Sequence, residues 1–322
     1  MKKTVTTLFF AFTLMTSAYA QGIFSDLRGN NGLWLDSLIV TYVDGTRTEK
    51  NIYEYNSDKL PICRYQYEYN ENQELIPTTR TENTFNEDKN LAIQESFIYD
   101  QGKGEFVLSE RDVISAWNEI SKIPSTILRY GIDEDNPEAG IQLLNKEVLT
   151  DFNEQGNPVD AHYYAIREGQ EVLIAKAHLD YYENGLPKEE NVSGETIDSG
   201  DTLTYVSKYT YKYDSYGNET ESTVLIYYNG VEAINEVTTH RYEYDENDNP
   251  KKAYKSYTTK DPSGKRDEIG YYYWGDGTAT LIRALKAARM NNIFFDLSGR
   301  QHQGTPTEKG IYIVNGKKVV ID

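Results

Sequence analysis

The sequence predicts an all-β chain: a long antiparallel meander of about sixteen strands, built from two-strand repeats of about 31 residues. Three observations carry this. First, an aromatic residue followed within a few positions by Asn or Asp recurs at Tyr55, Phe85, Trp117, Phe152, Tyr182, Tyr213, Tyr244 and Trp274, with spacings of 30, 32, 35, 30, 31, 31 and 30 residues. Second, each unit has another turn about halfway along, as at Asp44-Gly45, Glu168-Gly169 and Asn229-Gly230, residue pairs that tolerate positive φ and favour hairpins. Third, the stretches between turns alternate with period two. Leu203, Tyr205, Ser207, Tyr209, Tyr211 and Tyr213 share one side of their strand, and Thr202, Thr204, Val206, Lys208, Thr210 and Lys212 share the other.

The chain opens with residues 1–20, which have the form of a secretory signal. Lys2 and Lys3 precede a short apolar run from Leu8 to Met15, and Ala18-Tyr19-Ala20 supplies a small-x-small cleavage pattern. The apolar run is too short to span a bilayer, and no later stretch is long and apolar enough to do so as a helix. Residues 21–36 form an N-terminal segment and 37–277 the repeat domain. Its third unit, 110–150, carries the weakest pattern: Ala116 to Ile120 could form a short helix, and Ile132 to Gly140 is a long acidic loop. If the sheet divides in two, it divides there. Residues 278–292 are a linker or short helix. Residues 293–322 form a small C-terminal β module whose closing hairpin turns at Asn315-Gly316.

Sixteen strands cannot stay flat, because strand twist accumulates. The sheet can curl as a single layer, fold onto itself or close into a barrel. Only 38% of the residues are hydrophobic, and Tyr outnumbers Phe and Trp, 28 against 10 and 3. Tyrosine buries a ring while keeping its hydroxyl wet, so the expectation is a curled single-layer or partly rolled sheet rather than a thick sandwich. A propeller blade needs four strands, and an outer-membrane barrel needs an apolar outer face where this chain alternates Lys, Glu and Thr.

Composition excludes some partners. Removal of residues 1–20, with Lys2 and Lys3, takes the formal net charge from −18 to −20. That charge disfavours nucleic acid, which needs clustered cations. The single cysteine, Cys63, rules out an intramolecular disulfide and reads as a packing residue.

No catalytic, metal or cofactor constellation stands out. His162, His178, His240 and His302 lack ligand spacing, and no nucleophile elbow or phosphate loop is present. The acidic runs Asp133-Glu134-Asp135-Asn136 and Asp245-Glu246-Asn247-Asp248-Asn249 lack the glycine and distal glutamate of an EF-hand and read as hairpin turns. The remaining candidate is a tyrosine stripe, Tyr209, Tyr211, Tyr213, Tyr242 and Tyr244. It could stack sugar rings or meet a protein, or serve only as cross-strand pairs that build the sheet.

Two resemblances add to this reading. The phrase aromatic-x-Tyr-Asp-x-x-Gly-Asn, at 211–218 and 242–249 with Asp248 in place of the second glycine, resembles the tyrosine/aspartate (YD) repeats of secreted bacterial proteins, which imply a curling β-meander. Phe295-Asp296-Leu297-Ser298-Gly299-Arg300, with Gly310, Tyr312, Asn315 and Gly316 in the closing hairpin, resembles the sorting tails of type IX secretion cargo. Those tails imply contact with a secretion machinery and delivery to the outer surface of a Gram-negative cell. The expectation is therefore an exported protein, secreted, surface-exposed or periplasmic. It would be a non-catalytic scaffold binding glycan or protein, the alternative being a glycan-active enzyme with a carboxylate pair on the concave face.

Overall fold

A computed structural model describes residues 27–119, 121, 123–133, 137–198, 201–259 and 265–275. In the tail it describes the strands 293–296, 301–303, 310–314 and 317–321. Residues 1–20 and 278–292, read above as a signal and as a linker or short helix, and most of the 133–136 acidic run lie outside the described residues, as do Gly299, Asn315 and Gly316.

Sixteen strands alternate in direction without a crossover. They are β1 Trp34–Tyr42, β2 Arg47–Tyr55, β3 Pro61–Tyr69, β4 Leu75–Phe85, β5 Leu91–Asp100, β6 Glu105–Trp117, β7 Pro124–Ile132 and β8 Ile141–Phe152, followed by β9 Pro158–Arg167, β10 Gln170–Tyr181, β11 Pro187–Asp198, β12 Asp201–Tyr213, β13 Glu219–Tyr228, β14 Val231–Tyr244, β15 Pro250–Thr259 and β16 Glu268–Gly275. The expected curled or partly rolled sheet is corrected here: the sheet is a closed barrel. β1 pairs with β16 from Trp34 opposite Gly275 to Tyr42 opposite Glu268. An open sheet would leave those two strands with unpaired N–H and C=O groups, and closure satisfies both edges at once. The third unit does not break the sheet, since β6 continues through Trp117 and pairs with β7.

The repeated phrase is a five-residue turn. In Asn56–Leu60, the N–H of Asn56 donates to Leu60 O and that of Lys59 to Asn56 O. Asn56 Oδ1 accepts the N–H groups of Asp58 and Leu60, each at 2.9 Å. Asn153, Asp214 and Asp245 do the same two and four residues on. The Asn or Asp recurs there because its carboxamide or carboxylate oxygen holds two turn amides that no strand can reach. The fourth position has positive φ, 63° at Lys59, 89° at Gly217 and 59° at Asp248, which explains why a glycine or an aspartate can stand there.

The aromatic before the turn has its own task. Tyr55 Oη donates to Leu35 O at 2.8 Å, Tyr181 Oη to Pro158 O at 2.7 Å, and Trp274 Nε1 to Pro250 O at 2.7 Å. In each case the ring end ties the foot of one strand to the foot of the strand before it. Successive turns also bond to one another, for example Gln155 Nε2 to Glu183 O and Lys89 Nζ to Asp58 Oδ1. Residues 29–33 form a related five-residue turn, with Gly29 N donating to Leu33 O but Leu33 N to Asn30 O and no side chain in the Asn or Asp position. It docks on 245–249 through Asn30 Nδ2 to Asn247 O and Asn31 Nδ2 to Asn247 Oδ1.

Register assigns each side chain to a wall. Ile127, Glu147, Tyr163, Ala175, Gly194, Tyr205 and Tyr228 form one cross-strand row on the inner face. The largest apolar cluster lies there, around Leu149, Ala161, Tyr163, Ala177, Val192 and Tyr209. The outer face of β9–β13 carries polar and charged pairs instead: His178 hydrogen-bonded to Asp160, and the ion pairs Lys208 with Glu189 and Lys212 with Glu221, each 2.7 Å apart. Over β3–β6 the outer face is more aromatic, with Arg80 stacked on Phe97 and Phe106 at 4.3 and 5.1 Å. Cys63 is buried, and burial pushes its thiol up to about 12.

The tail is a separate four-stranded sheet in the order β18 (Gln301–Gln303), β17 (Ile293–Asp296), β19 (Gly310–Val314), β20 (Lys317–Ile321). Asp296, Gly310 and Tyr312 of the tail motif lie on these strands, with Asp296 opposite Tyr312.

Candidate functional site

The five tyrosines of the stripe divide between wall and rim. Tyr209 is buried and stands opposite Val224, and Tyr211 stands opposite Ser222, both on the inner wall. Tyr242 stands opposite Ala253 on the same wall and stacks with His240 at 6.2 Å. Burial pushes the Tyr209 hydroxyl up to about 12. Tyr213 and Tyr244 follow bulges at the ends of β12 and β14 and reach the rim formed by the aromatic–Asn/Asp turns.

At that rim they meet two tyrosines that sequence reasoning passed over. Tyr182 is edge-on to Tyr213 at 6.2 Å, and Tyr216 lies on Tyr244 at 4.6 Å. Tyr182 is 36% exposed and Tyr216 54%. Their hydroxyls are held: Tyr182 Oη donates to Tyr211 O at 2.9 Å, and Tyr216 Oη to Asp248 Oδ1 at 3.2 Å. Tyr244 Oη donates to Asp214 Oδ2 and accepts from Asn218 Nδ2. The rings therefore sit on consecutive turns, two strands or roughly 10 Å apart, with fixed orientation.

A signal for both was present. Each tyrosine breaks the turn's own rule. Tyr182 occupies the first position, where Asn56, Asn86, Asn153, Asp214 and Asp245 hold the turn amides, and Asn184 Oδ1 takes over the Leu186 N–H at 3.2 Å. Tyr216 occupies the third, where Asp58, Asp88, Gln155 and Asn247 stand in other copies. Departure from a local structural rule marks positions kept for another reason.

Two pairs of carboxylates on the concave wall bear on catalysis. Glu147 and Glu190 are each 3% exposed. Burial raises the Glu147 carboxyl to about 8; the Arg129 guanidinium opposes this, Asp112 and Glu190 add to it, and a hydrogen bond from Tyr163 lowers it. Arg129 and Asp112 pair at 2.9 Å. The second pair, Glu49 and Glu68, lines an open recess of about 690 Å³ at the opposite mouth of the barrel. Glycoside hydrolysis needs a carboxylic acid of raised pKa and a second carboxylate, both in contact with the sugar. Here the raised acid is sealed inside the wall. Among the described residues, no three His, Cys, Asp or Glu side chains converge in a manner that could hold a metal ion, and no helix is long and apolar enough to cross a membrane.

No protein-family model and no curated protein sequence matches the chain. Among solved structures, a porin-like protein from Bacteroides uniformis aligns at 11% identity and TM-score 0.34, over 77% of this chain and 99% of that one. A porin-like protein from Bacteroides vulgatus aligns at 10% identity and TM-score 0.33, over 75% and 98%. A protein of unknown function from Bacteroides fragilis aligns at 14% identity and TM-score 0.33, over 40% and 91%. Likenesses this distant carry no inference about what this chain does.

Proposed function

We propose that the chain is an exported, water-facing barrel that binds a glycan without catalysis, through the tyrosines of its aromatic-turn rim. The observation that carries this is the pair Tyr182 and Tyr216: exposed rings on consecutive turns, each backed by another tyrosine and fixed through its hydroxyl. Rings so held can stack on sugar faces without losing side-chain freedom, and Asp214, Asn218, Asp245 and Asp248 beside them supply hydrogen-bonding groups. The charge pairs on the outer wall of β9–β13 support a barrel surrounded by water, since a lipid-facing band is apolar. The form of residues 1–20 supports export, and the tail motif supports delivery to the cell surface or release.

A glycan-array screen on the mature protein, followed by product analysis, tests this. The expected result is a bound and chemically intact glycan, with Tyr182→Ala and Tyr216→Ala each weakening binding about tenfold or more (about 1.4 kcal/mol) while Tm changes little. Absence of any glycan ligand, or variants that bind as the parent does, would overturn the reading.

A further inference from the structure

Tyr182 and Tyr216 are related by the repeat of the barrel. Each hydroxyl bonds one repeat ahead of its own turn, Tyr182 Oη to Tyr211 O and Tyr216 Oη to Asp248 Oδ1. Both rings therefore lean the same way along the rim, offset from each other by one turn, two strands or roughly 10 Å. Their contacts leave room for a ligand. Tyr244 covers one face of Tyr216 at 4.6 Å, and with the side chain still 54% exposed the opposite face is open. Tyr213 meets Tyr182 at an interplanar angle of 89°, a contact that covers at most one face of it.

The joint between the two turns is low and apolar. Gly185 and Gly217 hold the fourth position of the two ring-bearing turns, where Lys59, Lys89 and Asp248 stand in others. Leu186 Cδ1 lies 3.8 Å from where a Cβ on Gly217 would stand. Leu186 thus fills the joint with carbon, and neither glycine raises a side chain beside it. Glu183 and Ser215, exposed at the second position of each turn, supply hydrogen-bonding groups next to the rings.

Two rings at this spacing select for the shape of a sugar chain. In an extended chain of β-1,4-linked pyranoses the linkages are equatorial and successive sugars are turned over. Every second sugar then presents its carbon-bound face in the same direction, a repeat close to the two-strand spacing of the rings. An α-1,4-linked chain curls and does not present such faces along one line. We propose that the rim takes an extended β-1,4-linked glycan, with Tyr182 stacked on one sugar and Tyr216 on the next but one. This rests on the glycan reading above and narrows it to a linkage and a minimum length of chain.

Calorimetric titration of the mature protein with cellohexaose, β-1,4-mannohexaose, maltohexaose and cellobiose tests the assignment. At least one of the two β-1,4 hexamers should bind about tenfold or more tightly than maltohexaose and cellobiose, because a chain that reaches both rings makes its second contact intramolecular. Tyr182→Ala and Tyr216→Ala should each bring that hexamer down to the affinity of cellobiose, with Tm little changed. Maltohexaose or cellobiose binding as well as the β-1,4 hexamers would overturn this inference and leave the glycan reading standing. So would a different glycan bound through Tyr182 and Tyr216 while neither hexamer binds. A length preference that survives both substitutions, or the absence of any bound glycan, would overturn the two together.

Discussion

Tyr205 Oη lies 2.9 Å from the point where a Cβ on Gly194 would stand, and the two residues are directly opposite on β12 and β11. The same imagined carbon would be 2.4 Å from Ile174 O and 2.7 Å from Ala175 Cβ. With Ala161, Ala175 and Ala177 beside it, Gly194 lets Tyr163 and Tyr205 lie over the wall where larger residues would push them off. Gly194→Ala should therefore cost at least about 1–3 kcal/mol by overpacking, read as a fall in denaturant midpoint. Tyr205→Phe with Gly194→Ala should not restore stability, because the closest clash is with backbone.

Glu147 makes stability depend on alkaline pH. Its carboxyl is raised from an ordinary 4.5 to about 8 in the folded chain, so the folded state holds a proton that the unfolded state has released. Its contribution to stability is full below about 4.5 and is lost as pH rises towards 8, amounting to about 5 kcal/mol at most. Melting curves between pH 6.5 and pH 9, above the range in which His240 titrates, should show a falling Tm in the parent. Glu147→Gln should flatten that slope and be the more stable protein at pH 9.

His240 acts in the opposite direction. Burial first, and the Lys255 ammonium second, lower its imidazole to about 4. Its contribution is full above an ordinary 6.5 and is lost as pH falls from there towards 4, roughly 3 kcal/mol at most. An NMR titration should find its midpoint near 4, and Lys255→Met should move that midpoint upward. The two terms offset each other between about pH 4.5 and pH 6.5, so together they place a plateau of best stability there, at mildly acidic pH.

The turn chemistry can be tested by exchange within the protein's own repertoire. Asp245 Oδ1 accepts the N–H groups of Asn247 and Asn249, as Asn153 Oδ1 does for Gln155 and Asn157. Asp245→Asn should leave Tm nearly unchanged. Asp245→Ala should cost about 1–2 kcal/mol, from two hydrogen bonds with a net worth of about 1 kcal/mol each.

Much of the wall was legible because its instructions are local. The Asn or Asp of each turn acts within five residues, and strand alternation acts over two, so repeat and strands could be read directly. Closure was not, since Trp34 and Gly275 meet across almost the whole barrel and nothing near either residue announces the pairing. The tyrosine stripe was legible as a pattern. The position of each ring was not, because bulges before Tyr213 and Tyr244 move them from wall to rim. The recess had a faint trace in Gly270, a glycine inside the otherwise bulky run Glu268 to Trp274, where a missing side chain often marks a close approach or a gap.

The turn formed by residues 29–33 sits on 245–249 much as each repeat sits on the one before it, and Trp34 is paired directly with Gly275. The junction between first and last strand is thus one more repeat interface, distinguished only by having no covalent link across it. The starting point of the barrel is then arbitrary. A circularly permuted chain, with residues 275 and 28 joined by a short linker and new termini at the exposed Asn229-Gly230 hairpin, should close into the same barrel with a similar Tm.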